Sequence, residues 1–136
     1  MGFEKFGKVS FTSETKVGEF VELLEEGKIC ASKCKNCEKL YFPPRMDCFN
    51  CLSSEMEWVE LSGRCKLITY TTATFSPTGF EDALPYTQAL AEFEEGPKVF
   101  AWMSKDIKEE EIEIGMNLKL VPVKIDGKIS YEFVKE

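Results

Sequence analysis

The chain has 136 residues, with 17 lysines and arginines against 24 aspartates and glutamates, a formal net charge of −7 and no histidine. Hydrophobic residues make up 43% and charged residues 30%, the composition of an ordinary soluble chain of one domain or a small pair. Without imidazole no Ser-His-Asp triad, Cys-His dyad or His₃ zinc site can be built, and the acidic balance disfavours generic nucleic-acid binding.

Residues 1–27 read as an N-terminal arm and helix. The opening MGFEKFGKVSF lacks the apolar core of a signal peptide, and no apolar run approaches a membrane span, so a cytoplasmic protein with no membrane contact is expected. Phe3, Phe6, Val9 and Phe11 form an aromatic arm of unassigned role. Over residues 14–26, Val17, Phe20, Val21 and Leu24 fall at i, i+3, i+4 and i+7, the spacing of one apolar helical stripe. Thr12 or Ser13 can cap its start, and Gly27 fits just past its end.

Residues 28–60 carry the strongest motif. Cys34 and Cys37 form one Cys-x-x-Cys pair and Cys48 and Cys51 a second, ten residues on. Two such pairs can complete a tetrahedral shell around one ion, and with reduced thiols in an intracellular setting a structural Zn²⁺ is the first reading. Rubredoxin-type iron uses the same four thiolates, but its knuckles usually place glycine after the second cysteine of each pair. Here those places hold Glu38 and Leu52. A Cys₄ shell leaves no open position for substrate, so it is structural, not catalytic. Pro43-Pro44 marks a turn between the pairs, and Trp58-Val59 should begin a closing strand against the metal layer. Residues 28–51 are also the one net-basic stretch, with Lys28, Lys33, Lys35, Lys39 and Arg45 against Glu38 and Asp47.

Residues 61–136 turn to β. Five runs, 64–74, 87–93, 99–103, 118–125 and 128–134, are rich in β-branched and aromatic residues. Asp126-Gly127 is a two-residue hairpin signal, and an acidic connector holding Ile107, Ile112 and Ile114 separates the third run from the fourth. Five strands with that spacing suggest an OB-type barrel, with Pro122 at an edge or bulge. The expected fold is therefore mainly β: an N-terminal helix, a rubredoxin-like Cys₄ zinc ribbon and a five-stranded OB-fold barrel. Cys30 and Cys65 lie outside the motif and read as buried thiols. Phe75, Phe80, Leu84 and Tyr86 crowd the loop 75–86, which either plugs the barrel end or lines an apolar groove.

Several segments in order resemble a known family: Cys34–Cys37, Phe42–Arg45, Cys48–Cys51, Glu57–Arg64, Tyr70–Thr72, Pro85-Tyr86, Phe93–Pro97 and Ile114–Met116. Over about residues 14–125 the pattern resembles the zinc-ribbon plus OB-fold proteins long grouped as a domain of unknown function and linked to acyl-CoA metabolism. The resemblance implies a small non-catalytic subunit or scaffold that accompanies a thiolase-type or other acyl-CoA enzyme. Archaeal relatives of this kind bridge acetoacetyl-CoA thiolase to hydroxymethylglutaryl-CoA synthase. It further implies CoA or acyl-CoA as a bound ligand, with the ribbon supporting the interface. Two positions depart from the pattern: Glu38 replaces a usual knuckle glycine, and Cys65 replaces a glycine after Ser-Gly-Arg.

For the CoA phosphates the basic candidates are Lys33, Lys39 and Arg45 of the ribbon with Arg64 and Lys66 at the start of the barrel. For an acyl-pantetheine chain they are Phe75, Phe80 and Tyr86. The rival from another class is an OB-fold protein that binds single-stranded nucleic acid.

Overall fold

A computed structural model describes residues 3–8 and 15–136. The one α-helix among the described residues, α1, spans Glu19–Glu25 and buries Phe20, Val21 and Leu24 from the expected stripe. It is shorter than residues 14–26. Before it, hydrogen bonds from Gly18 to Thr15 and from Phe20 to Val17 make tight three-residue turns instead of helix. The Thr12 or Ser13 cap, like Val9 and Phe11 of the arm, lies outside the described residues. The C-terminus ends as expected at Gly27, whose φ is +88°. The Lys28 N–H reaches the Leu23 carbonyl and the Gly27 N–H the Leu24 carbonyl, a Schellman closure.

The ribbon is a three-stranded antiparallel sheet in the order β2-β1-β3, with β1 at Cys30–Cys34, β2 at Leu40–Tyr41 and β3 at Met56–Glu60. Its closing strand divides its labour differently from expectation. Met56 packs on the cysteine cluster, whereas Trp58 packs on the main core. Their Cα partners, Cys34 and Ser32, show how the register places each one.

The barrel closes in the order β4-β5-β6-β8-β7, from β4 (Arg64–Ala73), β5 (Tyr86–Phe93), β6 (Lys98–Met103), β7 (Asn117–Ile125) and β8 (Lys128–Lys135). The described residues are thus mainly β, with one helix, a four-cysteine ribbon and a five-stranded OB-type barrel. Asp126 and Gly127, with φ of +50° and +79°, turn β7 into β8 as a hairpin with both central residues left-handed. Pro122 pairs with Tyr131 beyond the last β4–β7 pair, so β8 alone flanks it and its missing N–H costs no ladder bond on the other side.

Ribbon, helix and barrel share one core. Phe20 of α1 meets Phe42 of the ribbon link with ring centroids 5.6 Å apart, and Phe42 meets Phe93 of β5 at 5.0 Å. Tyr131 of β8 touches Phe20 and Phe42, while of the arm Phe3 stacks on Phe20 and Phe6 meets it at a tilt. The aromatic arm therefore fills the seam between helix and barrel, where each buried ring contributes on the order of 1.5–3 kcal/mol.

Candidate functional site

The two Cys-x-x-Cys loops are near copies of one another. Cys34 N–H donates to the Lys39 carbonyl at 2.9 Å and Cys48 N–H to the Ser53 carbonyl at 2.8 Å. Glu38 N–H returns to the Cys34 carbonyl and Leu52 N–H to the Cys48 carbonyl, each at 2.8 Å. That path requires a left-handed residue after each second cysteine, and Glu38 and Leu52 take φ of +65° and +63°. The sulfur atoms of Cys34, Cys37, Cys48 and Cys51 consequently lie within 4.8 Å of one another. The Cys34–Cys51 and Cys37–Cys48 separations are 3.5 Å. Four sulfurs at roughly 2.3 Å from a tetrahedral ion would be roughly 3.8 Å apart, so the donor set fits zinc with little movement.

The surroundings lower two of the cluster thiols, Cys48 and Cys51, while Cys34 is raised: the Cys37 N–H at its sulfur favours the thiolate, but burial and the neighbouring thiols oppose it. The Cys37 N–H points at Cys34 Sγ and Asn50 Nδ2 at Cys37 Sγ, both at 3.5 Å, and the Tyr41 hydroxyl is 3.2 Å from Cys48 Sγ. That phenol is the largest influence drawing the Cys48 thiol down to about 6. Cys51 is likewise lowered, first by a hydrogen bond with Asn36. The two cysteines outside the cluster are raised, as Cys34 is within it. Cys30 and Cys65 are buried, and burial raises both thiols, Cys65 to about 12. Neither is poised as a nucleophile.

The basic candidates separate into different places. Lys39 and Arg45 converge on one pair of rings beside the second knuckle, Tyr41 and Phe49, whose centroids are 5.3 Å apart. Lys39 Nζ is 5.5 Å and the Arg45 guanidinium 5.1 Å from the Phe49 centroid, and both also approach Tyr41. No carboxylate within salt-bridge distance of either cation is found among the described residues. Arg45 is held by its backbone, because its N–H donates to Oγ of the fully buried Ser32 at 2.8 Å. Phe49 remains 59% exposed. Lys33, by contrast, faces Glu38 at 3.7 Å.

Arg64 and Lys66 sit at the start of the barrel in a cleft they share with Glu92, Glu94 and Glu136. Glu94 holds Arg64 through two hydrogen bonds of 3.1 and 3.3 Å, and Glu136 approaches it at 3.9 Å. Those carboxylates already neutralise Arg64, which the sequence could not reveal because they come from across the barrel.

The loop 75–86 divides as well. Phe75 is 85% exposed, while Tyr86 opens β5, is buried and stacks on Trp102 at 4.1 Å. Phe80 meets the same indole edge-on at 5.9 Å. The sequence reading missed Tyr41, Phe49 and Trp102. A tyrosine next to the Pro-Pro turn and a phenylalanine inside the second Cys-x-x-Cys were the available signals.

Comparison with known proteins accounts for both halves. Residues 21–57 match the family model described as the ChsH2 rubredoxin-like zinc ribbon domain, and residues 58–123 the ChsH2 C-terminal OB-fold domain. A DUF35 domain-containing scaffold protein of Pyrococcus furiosus is 40% identical over 114 residues, covering 80% of this chain and 82% of that protein. The benzoylsuccinyl-CoA thiolase subunit BbsA of Geobacter metallireducens is 32% identical over 107 residues, with coverage of 76% and 71%. Among solved structures, the Ltp2-ChsH2(DUF35) aldolase aligns with a TM-score of 0.76 at 25% identity, over 90% of this chain and 97% of the other. A zinc-ribbon match and four clustered cysteines together support a structural zinc ion.

Proposed function

Because the chain belongs to the DUF35 family of zinc-ribbon and OB-fold scaffold proteins, we propose that it serves in the cytoplasm as a non-catalytic accessory subunit of a thiolase-type or other acyl-CoA enzyme. The observation that carries this reading is the likeness, along four-fifths of the chain, to a protein named a scaffold. A similar likeness to a named thiolase subunit supports it. Cys34, Cys37, Cys48 and Cys51 hold the zinc, which fixes the ribbon and takes no part in chemistry. The buried, raised thiols of Cys30 and Cys65 accord with a subunit that leaves catalysis to its partner.

CoA, in this reading, meets the chain at the second knuckle. Lys39 and Arg45 have no carboxylate partner among the described residues, they lie in the net-basic stretch 28–51, and two rings hold them over the same spot. A guanidinium there can take a phosphate with two hydrogen bonds. Arg64 and Lys66 are less suited, since Glu92, Glu94 and Glu136 crowd them. The oligonucleotide alternative gains nothing from the aromatic cleft on the barrel's outer face, because the carboxylate of Glu132 stands in it and would repel a phosphate backbone.

Two measurements test the reading. Affinity purification from the native source should recover a thiolase-type or other acyl-CoA enzyme, and recovery of nucleic acid instead would reject it. In calorimetric titration with CoA, Arg45→Ala should lose about 1.5–3 kcal/mol, the range of a charge-assisted contact. Unchanged affinity in that variant removes the knuckle from the CoA site.

A further inference from the structure

The outer face of the barrel departs from the usual polar exterior. Along β6, Val99, Ala101 and Met103 fill the core, so the alternate residues Phe100 and Trp102 face outward, and Phe100 is 57% exposed. Strand pairing extends this face sideways. Leu90 of β5 lies opposite Phe100, and Glu132 of β8 lies opposite Trp102. Phe80 from the loop and Val123 and Ile125 from β7 complete a cleft of about 300 Å³. Its aromatic wall is prearranged, because Tyr86 stacks on Trp102 and Phe80 braces its edge.

Within that apolar cleft stands one carboxylate. Glu132 is half-buried, and no hydrogen bond or ion pair to it is found among the described residues. The nearby Lys8 is engaged by Asp82. Burial raises the Glu132 carboxyl above its ordinary value, and the charge of Asp106 adds to the effect. A carboxylate stripped of water without a partner costs free energy, so the isolated chain carries a cost that a bound cation would relieve.

We propose that this cleft is a docking socket for the partner enzyme, and that it accepts a lysine or arginine side chain flanked by an apolar residue, with Glu132 as the counter-charge. The inference rests on the accessory-subunit reading above. The chemistry excludes other occupants. A phosphate or a fatty carboxylate would meet Glu132, on which the charge of Asp106 also acts, and Lys8, the cation in the lining, is already held by Asp82, so neither a nucleotide nor a free acid fits. A lysine or arginine stem can lie along Phe100 and Val123 while its charge reaches both Glu132 and the Trp102 ring. Aromatic anchors in a desolvated centre are the usual hot spots of protein interfaces.

The first test uses three small probes that share one apolar body: 4-phenylbutylamine, 4-phenylbutanol and 4-phenylbutyrate. The chain has two tryptophans, so Trp58→Phe leaves Trp102 as the sole fluorescent reporter. Should that variant fold poorly, the Trp102 indole N–H resonance of the unsubstituted protein gives the same readout. The amine should bind at least ten-fold more tightly than the butyrate, and Glu132→Gln should reduce that preference to within two-fold. Equal binding of all three probes, or preference for the butyrate, overturns the proposal. The second test measures affinity for the enzyme recovered by native purification. Glu132→Lys should weaken it at least ten-fold with zinc content unchanged. Unaltered affinity overturns the socket and leaves the accessory-subunit reading standing, whereas failure to recover any acyl-CoA enzyme defeats that reading and the socket's partner with it. Concentration-dependent self-association that Glu132→Lys abolishes would assign the cation to a second copy of the chain and likewise overturn the proposal.

Discussion

Replacing Glu38 by glycine should stabilise the protein, although it removes a side chain that makes an ion pair. Glu38 sits at φ +65°, where an L-residue with a Cβ is penalised by about 1–2 kcal/mol. Glycine escapes that penalty but adds freedom to the unfolded chain, worth about 0.4–1 kcal/mol in the opposite direction. The Lys33 ion pair at 3.7 Å is solvent-exposed on the Glu38 side and contributes little, in the range of about 0–1 kcal/mol. With the long, exposed ion pair near the bottom of its range and the other two contributions at mid-range, the net gain is about 0.5–1 kcal/mol. With an unfolding entropy of about 2.1 cal/mol/K per residue, roughly 0.29 kcal/mol/K for the chain, Tm should rise by about 2–3 °C. Leu52→Gly should behave alike, because Leu52 has φ +63° and is 84% exposed, so little packing is lost. The two positions share no hydrogen-bond partner, and the double variant should gain about twice as much. The assay is thermal unfolding by circular dichroism, with zinc occupancy matched by elemental analysis. Glu38→Ala and Leu52→Ala keep the Cβ and should gain nothing. If alanine stabilises as much as glycine, or glycine lowers Tm, the left-handed backbone is not the source of strain and the reasoning fails.

The cysteine cluster yields a sharper contrast. Freshly purified protein should contain one zinc per chain, and Cys34→Ser should lose the ion and unfold the ribbon, since such an ion supplies on the order of 10 kcal/mol of apparent folding free energy. Cys30→Ser should retain the metal, which elemental analysis decides. Glu132→Gln should raise Tm at pH 7. Burial lifts the folded carboxyl above its unfolded value near 4.5, so the charged form is penalised only as pH rises through the folded pKa. The advantage of the variant should accordingly vanish below about pH 4.5, and a gain independent of pH would refute an electrostatic origin. In the loop and its strand, Tyr86→Ala should cost about 3–5 kcal/mol in denaturant unfolding because it empties the stack on Trp102. Phe75→Ala, at 85% exposure, should stay within about 0.5 kcal/mol of the parent.

The elements that could be read from the sequence are those whose cause is local. Paired cysteines at Cys-x-x-Cys spacing can form only a few structures, and Asp126-Gly127 supplies the left-handed pair a tight hairpin demands. The five barrel strands announced themselves through β-branched and aromatic runs. What escaped is set by residues distant in the chain. β1 (Cys30–Cys34) mixes lysine, serine and cysteine and has no strand-like pattern, and the ladders to β2 and β3 make it one. α1 begins later than its apolar stripe because the preceding residues close tight turns. Arg64 looked like a free cation until Glu94, thirty residues on, was brought beside it. Glu132 lies in an alternating strand where an acidic residue normally faces water. Its burial follows from the parallel pairing of β6 with β8, whose register no short pattern encodes.

That β4 pairs with both β5 and β7 has a consequence for how the chain is made. Cys65 meets Phe93 on one side and Leu118 on the other, so the edge that β7 covers stays open until more than forty further residues have followed β4. The ribbon needs nothing beyond β3 and can capture its metal first. At about 5–20 residues per second of synthesis, β4 waits several seconds with one edge unpaired, the stage at which nascent β-proteins aggregate. Arg64 and Lys66, exposed and positively charged at the end of β4 that β7 will cover, are well placed as gatekeepers during that interval.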